Sequence, residues 1–220
     1  MELKSTAKIN IGLHVYNKRQ DGFHNIATIF QEINFFDTIN IREAKNFSCK
    51  TSTGQIKQED NFSTKAFNLI KEAFPHIPNV DIDIKKNIPT NAGLGGGSSN
   101  GTSVLRGLNT FFDLSLNNDE LSEFASKVSS DSTFFVNGGL QLGTKKGEEL
   151  IPILETEIPK HILLVYPNIK ISTKDAFKQL KNHLLNENMD INLSHLLKEL
   201  KNNNFDSKLF KNDFEMYVFE

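Results

Sequence analysis

The chain holds a single cysteine, Cys49, which excludes an intramolecular disulfide and any zinc site built from several thiolates. A lone thiol of this kind reads as a small apolar filler. No apolar run approaches the roughly 20 residues needed to span a bilayer, and Ile162–Tyr166 is among the longest. The N-terminus, MELKSTAKIN, lacks the apolar stretch of a secretory signal. Basic charge is not in excess: 25 Lys and Arg stand against 27 Asp and Glu, a net charge of −2. The electrostatic footprint of duplex nucleic-acid binding is therefore missing. Repeats and low-complexity tracts are also missing, which argues against solenoids and propellers. These absences predict a cytoplasmic protein with neither a membrane nor a nucleic-acid partner. What is present, 38% apolar and 24% charged residues over 220 positions, is enough for a folded core and one large or two small domains.

Near the start, Ile9, Ile11, Leu13 and Val15 alternate with Lys8, Asn10, Gly12 and His14. That period of two predicts a strand with one buried face. Gln20–Gly22 reads as a tight turn, followed by β-rich residues over Ile26–Phe35 and a further strand over Asp37–Glu43. The period changes over residues 61–74, where Ala66, Phe67, Ile70 and Phe74 share a helical stripe, with Ser63 as cap and Pro75 as stop. Val80, Ile82 and Ile84 alternate as another strand. Two more helices are predicted, one carrying Val104, Leu105, Leu108, Phe111 and Phe112, the next opening near Asn118, before strand-like Gly139–Thr144. Charges and two prolines near residues 148–159 predict a boundary, giving domains over 1–155 and 156–220. Beyond it His161–Tyr166 reads as a strand, and helical stripes follow at Ala176, Phe177, Leu180 and Leu184, then at Leu196, Leu197 and Leu200. Strands and helices mix without strict alternation, which predicts an α+β fold rather than a doubly wound parallel sheet.

The chemistry concentrates in Gly93–Gly101. Gly93, Gly95, Gly96 and Gly97 lack a Cβ immediately ahead of an amphipathic helix. Such a loop lets backbone N–H groups converge, and the helix start adds unpaired donors and a favourable field for an anion. Ser98 and Ser99 add hydroxyls, with Ser99 expected to reach a magnesium ion. The segment is not a Walker A loop, since no Lys follows the last glycine, and its flanking elements do not make the βαβ unit of a dinucleotide fold. Read alone, Asp131 is a cap for Ser132–Val136 and Lys8 a solvated lysine, although Asn10 shares the strand face of Lys8.

IPTNAGLGGGSSNG at Ile88–Gly101 resembles the second motif of the GHMP kinases, PxxxGLGSSxA. AKINIGLHV at Ala7–Val15, RQDGFHNIATIFQ at Arg19–Gln31, SSDSTFFVNGG at Ser129–Gly139 and YPNIKISTKDAF at Tyr166–Phe177 are similar to the branch of that family acting on a cytidine-linked methylerythritol. The resemblance implies a two-domain GHMP fold, with a ribosomal-protein-like N-terminal ATP-binding domain and a C-terminal α/β-sandwich domain. It implies phosphoryl transfer from ATP, with Mg2+, to the 2-hydroxyl of 4-diphosphocytidyl-2-C-methyl-D-erythritol, on the methylerythritol phosphate route to isoprenoids. Pro89, Gly93, Leu94, Gly95, Gly96, Gly97, Ser98 and Ser99 match the ATP-binding motif. Asp131 matches the catalytic aspartate that accepts the hydroxyl proton, and Lys8 the catalytic lysine expected to hold Asp131 ionised and polarise the substrate hydroxyl. Asn10, Phe23, His24 and Phe177 match substrate-binding positions, with Phe23 and Phe177 expected to sandwich the cytosine; core packing is an equal reading for Phe177, which shares a helical stripe with Leu180 and Leu184.

The match has gaps. The family's third glycine-rich motif has no counterpart, since residues 148–220 contain no glycine, so a truncated chain with an incomplete second domain is expected. Phe23 stands where Tyr is usual, Ser130 where Ala is usual, and Gly101–Thr102 where small apolar residues are common. Two other readings remain at this point: a GHMP kinase acting on mevalonate or homoserine, and a non-catalytic nucleotide- or RNA-binding module.

Overall fold

Two long strands, β1 (Glu2–Lys18) and β2 (His24–Ala44), open the chain in a computed structural model that describes residues 1–54, 56–154, 161–167, 176–177, 180, 197–202 and 210–218. They pair with each other across the predicted turn, where the Arg19 amide donates to Phe23 O at 2.7 Å and Gly22 adopts a φ of +86°. The alternation in β1 marks a strand, but not one with a wet face: every residue from Gly12 to Tyr16 is buried. Leu13 and Val15 join an apolar cluster with Ile26 and Leu180, while His14 and Tyr16 are buried on the opposite side. The break expected before Asp37 does not occur. β2 runs through it for 21 residues, because the Asp37 carboxylate is buried among donors rather than exposed at a turn.

Two compact units share these strands. The first comprises Met1–Lys8, Glu32–Thr90 and Leu94–Gly138. In it β3 (Ser48–Thr51) lies parallel to β4 (Asn79–Lys85), and β4 pairs antiparallel with β2, setting Ile84 opposite Ile39 and Ile82 opposite Ile41. Helices α1 (Phe62–Ala73), α2 (Gly96–Phe111), α3 (Asn118–Val128) and α4 (Phe134–Asn137) complete the unit. Phe67, Ile70, Val104, Leu105 and Leu108 bury their side chains with these strand isoleucines, each such burial being worth about 1.5–3 kcal/mol. The cap of α1 is Asn61, whose side chain accepts from the Ser63 amide at 2.9 Å; Ser63, the expected cap, lies inside the helix. Asparagine ranks with the strongest N-caps, so the earlier residue wins. In α3 a reciprocal box forms, with Asn117 accepting from the Glu120 amide and the Glu120 side chain accepting from the Asn117 amide.

The second unit comprises Ile9–Gln31, Asn91–Gly93 and Gly139–Glu220. β5 (Leu140–Thr144) pairs antiparallel with β2, Ile29 opposite Leu142, and β6 (Glu149–Pro152) continues from β5 inside the stretch expected to link domains. Ile29 and Leu142 pack with Leu200. Leu13 exchanges backbone hydrogen bonds with Lys211 and Asp213, at 3.0 and 2.9 Å, ahead of a helical turn at Glu215–Val218. His161–Tyr166, expected as a strand, has no regular structure, and Leu163 and Val165 are 88% and 75% exposed. An apolar β-rich run becomes a strand only with a hydrogen-bonded neighbour, and among the described residues these have no ladder partner. Ala176, Phe177 and residues 197–201 are helical as expected, whereas Leu184, Leu196 and residues 168–175 of the fourth motif lie outside the described residues. Among the described residues no helix is long and apolar enough to cross a membrane. The architecture is α+β, a mixed sheet with helices, as expected from the unordered succession of strands and helices.

Candidate active site

The first unit carries a helix that begins without a side-chain cap. Gly95 stands at the N-cap of α2 in a left-handed conformation, φ +69°, and among the described residues no side chain caps the first amides. A residue with a Cβ is strained there. The Ser99 amide is the first to return an intrahelical bond, to Gly95 O at 2.9 Å, so the preceding amides of Gly96, Gly97 and Ser98 open the helix. Leu94 is buried, and its carbonyl accepts from the Lys8 amide at 3.0 Å, fastening the loop to β1. Pro89 is half-buried in the connection from β4, and Gly93 has a φ of +73° with open space around it.

Lys8 and Asp131 meet beside this helix start. Lys8 Nζ lies 3.5 Å from Asp131 Oδ2; the lysine side chain is 7% exposed and the aspartate 40%. The Lys8 stem passes 3.1 Å from the point where a Cβ on Gly95 would lie. A buried ammonium next to a reachable carboxylate and a set of helix-terminal amides is suited to gather negative charge.

Asp131 is carried on a 3-10 turn, Ser130–Ser132, that is tied to α2 by hydroxyls. Ser129 Oγ donates to Ser98 Oγ at 2.8 Å, and Thr102 Oγ1 donates to Ser132 O at 2.8 Å. The Ser99 hydroxyl, expected at a magnesium ion, is instead buried and accepts from Ser5 Oγ at 2.8 Å. Its position on the inner face of α2 explains the difference.

A second set of residues beneath the loop had no signal in the sequence. Asp37, fully buried, accepts from the amides of Asn87 and Ile88 at 2.7 and 2.8 Å and from Asn100 Nδ2 at 2.9 Å, and it is paired with Lys86. Lys86 Nζ also donates to Asn100 Oδ1 at 3.0 Å, and Asn100 Nδ2 to Ser5 Oγ at 2.9 Å. This network fixes the first turn of α2 to the end of β4. Phe62 was also missed. It is partly exposed, and its ring lies 3.4 Å from the position of a Cβ on Gly97.

The second unit holds Asn10, Phe23, His24 and Phe177. The buried His24 ring approaches Tyr16 O through Nδ1 at 3.0 Å. A carbonyl only accepts, so Nδ1 carries the proton and Nε2 of the neutral ring is an acceptor. Phe177 does not stand apart as half of a sandwich. Its ring stacks on His24, centroids 5.5 Å apart, and meets Phe214 edge-on, because it belongs to the apolar cluster around Leu13 and Val15. Phe23 is 51% exposed, with Lys146 Nζ 5.0 Å from its ring centroid, a cation–π contact that spacing alone could not reveal. Asp21 shapes this turn: the Phe23 amide, then the Arg19 guanidinium, hold its carboxyl below the ordinary range against an opposing effect of burial. Asn10 Nδ2 donates to Thr28 Oγ1 at 2.9 Å.

Residues 61–140 match the family described as GHMP kinases N terminal domain. Over 191 residues the chain is 40% identical to the 4-diphosphocytidyl-2-C-methyl-D-erythritol kinase of Sulfurihydrogenibium sp. (strain YO3AOP1), covering 87% of this chain and 69% of that one. The protein of the same name from Prochlorococcus marinus (strain AS9601) is 36% identical over 230 residues, covering 99% and 74%. A crystal structure of 4-(cytidine 5'-diphospho)-2C-methyl-D-erythritol kinase superposes with a TM-score of 0.78 at 24% identity, over 100% of this chain and 77% of that one. A mevalonate kinase superposes at 0.60 with 13% identity, over 96% and 76%, a likeness of fold alone.

Proposed function

Because the chain belongs to the GHMP kinase family, and within it to the 4-diphosphocytidyl-2-C-methyl-D-erythritol kinases, we propose that it phosphorylates the 2-hydroxyl of 4-diphosphocytidyl-2-C-methyl-D-erythritol with ATP, on the methylerythritol phosphate route to isoprenoids. The observation that carries the chemistry is the Lys8–Asp131 pair beside the uncapped start of α2.

In this reading the amides of Gly96, Gly97 and Ser98 cradle the ATP phosphates, with Pro89, Gly93 and Leu94 shaping the loop and Ser99 supporting it from within. Phe62 offers a ring to the adenine. Asp131 takes the proton of the 2-hydroxyl as its oxygen attacks the γ-phosphorus, and ADP departs. Such general-base help is typically worth about 10²–10⁴ in rate. Lys8 places positive charge where the transferring group gains negative charge. Mg2+, when bound, neutralises charge on the phosphate oxygens. Among the described residues no group of three or more His, Cys, Asp or Glu could hold a metal. The donor set therefore fits an ion carried mainly by the nucleotide phosphates, with Asp131 the carboxylate at hand.

For the cytidine, Phe23 supplies the exposed stacking surface, and His24 Nε2 an acceptor that matches the exocyclic amino group of cytosine. Phe177 backs the His24 ring. Asn10 binds the alcohol portion. Phe23 and His24 are what favour a cytidine-bearing acceptor over mevalonate or homoserine.

The test is phosphate transfer from ATP–Mg2+ to a panel of alcohols. Turnover of 4-diphosphocytidyl-2-C-methyl-D-erythritol should exceed that of methylerythritol, mevalonate and homoserine by orders of magnitude. Equal turnover of an acceptor lacking cytidine would defeat the assignment.

A further inference from the structure

We propose that Ser129 is a positioning residue that ties the turn bearing Asp131 to the phosphates of a bound nucleotide through an ordered chain of hydroxyls; this rests on the reading of the α2 start as the phosphate site. Ser129 closes α3, where its amide donates to Ala125 O at 3.2 Å, and its backbone is extended, φ −164°. Asp131 follows two residues on, in the 3-10 turn Ser130–Ser132. Ser132 is fully buried, and its amide returns to Ser129 O at 3.2 Å. The Asp131 carboxylate is thus carried between two serines whose hydroxyl oxygens lie 2.6 Å apart.

A serine hydroxyl has a single proton and can also accept. Ser129 Oγ spends its proton on Ser98 Oγ at 2.8 Å. The 2.6 Å bond between Ser129 and Ser132 is therefore donated by Ser132, which also faces Ser98 O at 3.4 Å; the shorter contact takes the proton. The order runs from Ser132 to Ser129 to Ser98. Ser98, buried in the first turn of α2, keeps a proton that no acceptor among the described residues takes. A phosphate oxygen, which accepts, completes the chain. The reverse order would spend the Ser98 proton on Ser129 and turn a lone pair toward the nucleotide. Each bond in such a chain polarises the next, so a phosphate at Ser98 strengthens the hold on Ser129 and Ser132 and steadies Asp131 between them. A seated nucleotide and a well-placed base are coupled in this way.

The test uses the whole chain with ATP–Mg2+ and 4-diphosphocytidyl-2-C-methyl-D-erythritol. Ser129→Ala cuts the chain of hydroxyls. Its kcat should fall about tenfold, as for a base slightly out of place, with affinity for a non-hydrolysable ATP analogue held within about threefold. Ser129→Cys, close in volume but a weak donor, should lose kcat similarly. Ser129→Thr keeps the hydroxyl on an extended backbone that suits a β-branched residue, and should recover most of the loss. A Ser129→Ala kcat within about twofold of the unmodified chain, equal losses of kcat and affinity, or a cysteine variant as active as the threonine one overturns the proposal. In the unmodified chain the analogue should slow hydrogen exchange of the Ser132 amide more than that of the α3 amides. Equal slowing in both overturns the proposal even where Ser129→Ala fails to fold. If the unmodified chain phosphorylates no alcohol, the proposed reaction fails, and exchange at Ser132 alone decides the coupling. An analogue that does not bind takes the phosphate site and the coupling down together.

Discussion

Gly95 and Phe135 are packed so closely that a Cβ on the glycine would lie 2.9 Å from the phenyl ring. The same atom would press on the Lys8 stem at 3.1 Å, and φ is +69°. Both sterics and backbone therefore demand glycine. Gly95→Ala should weaken binding of a non-hydrolysable ATP analogue at least about tenfold in calorimetric titration, since left-handed strain alone costs roughly 1–2 kcal/mol. Gly95→Val should abolish it. Unchanged affinity in the alanine variant would remove the loop from nucleotide binding.

Asp131 is well exposed and Lys8 largely buried, and the two are expected to fail differently. Asp131→Ala should lower kcat by about 10²–10⁴ with analogue affinity held within a few-fold. Lys8→Met removes a buried charge and should lower kcat while also weakening the analogue. Near-normal turnover of Asp131→Ala would exclude it as the base.

Lys86 and Asp37 are a buried pair, and removing one partner strands the other charge. Asp37→Ala should cost about 3–5 kcal/mol in denaturant unfolding. The double change Asp37→Leu with Lys86→Met should recover part of that loss. A single variant as stable as the parent would show that the network does not hold the helix start.

Burial pushes the Cys49 thiol up from 9.0 to about 11. A raised value means that the fold favours the neutral thiol, so this contribution to stability is complete below about pH 9 and is lost as pH rises to about 11. The stability advantage over Cys49→Ala should shrink across that window. At pH 8 a thiol reagent should label the protein only after denaturation. Rapid labelling of the native chain would contradict the burial of Cys49.

Local chemistry explains what the sequence disclosed. Gly93–Ser99 is legible because successive glycines before a helix write their own conformation, and α1 to α3 or the strand at Val80–Ile84 follow their apolar periods. β3 and β6 escaped because four residues such as Ser48–Thr51 carry too short a period to read, and β6 ends in a proline. A break was expected before Asp37 because its donors, Lys86 and the amides of Asn87 and Ile88, lie about fifty residues away. The apolar run His161–Tyr166 misled for the opposite reason, since composition does not supply a ladder. Phe177 illustrates a third limit: a ring on a helical stripe can back a site residue while belonging to an apolar cluster.

The Asp37, Lys86 and Asn100 side chains are bonded to one another, so replacing any one leaves the other two with an unmet charge or hydrogen bond. Descendants of this gene would then be expected to inherit the three as a block. Drift at one of them, unaccompanied, would mark a copy that selection has stopped guarding.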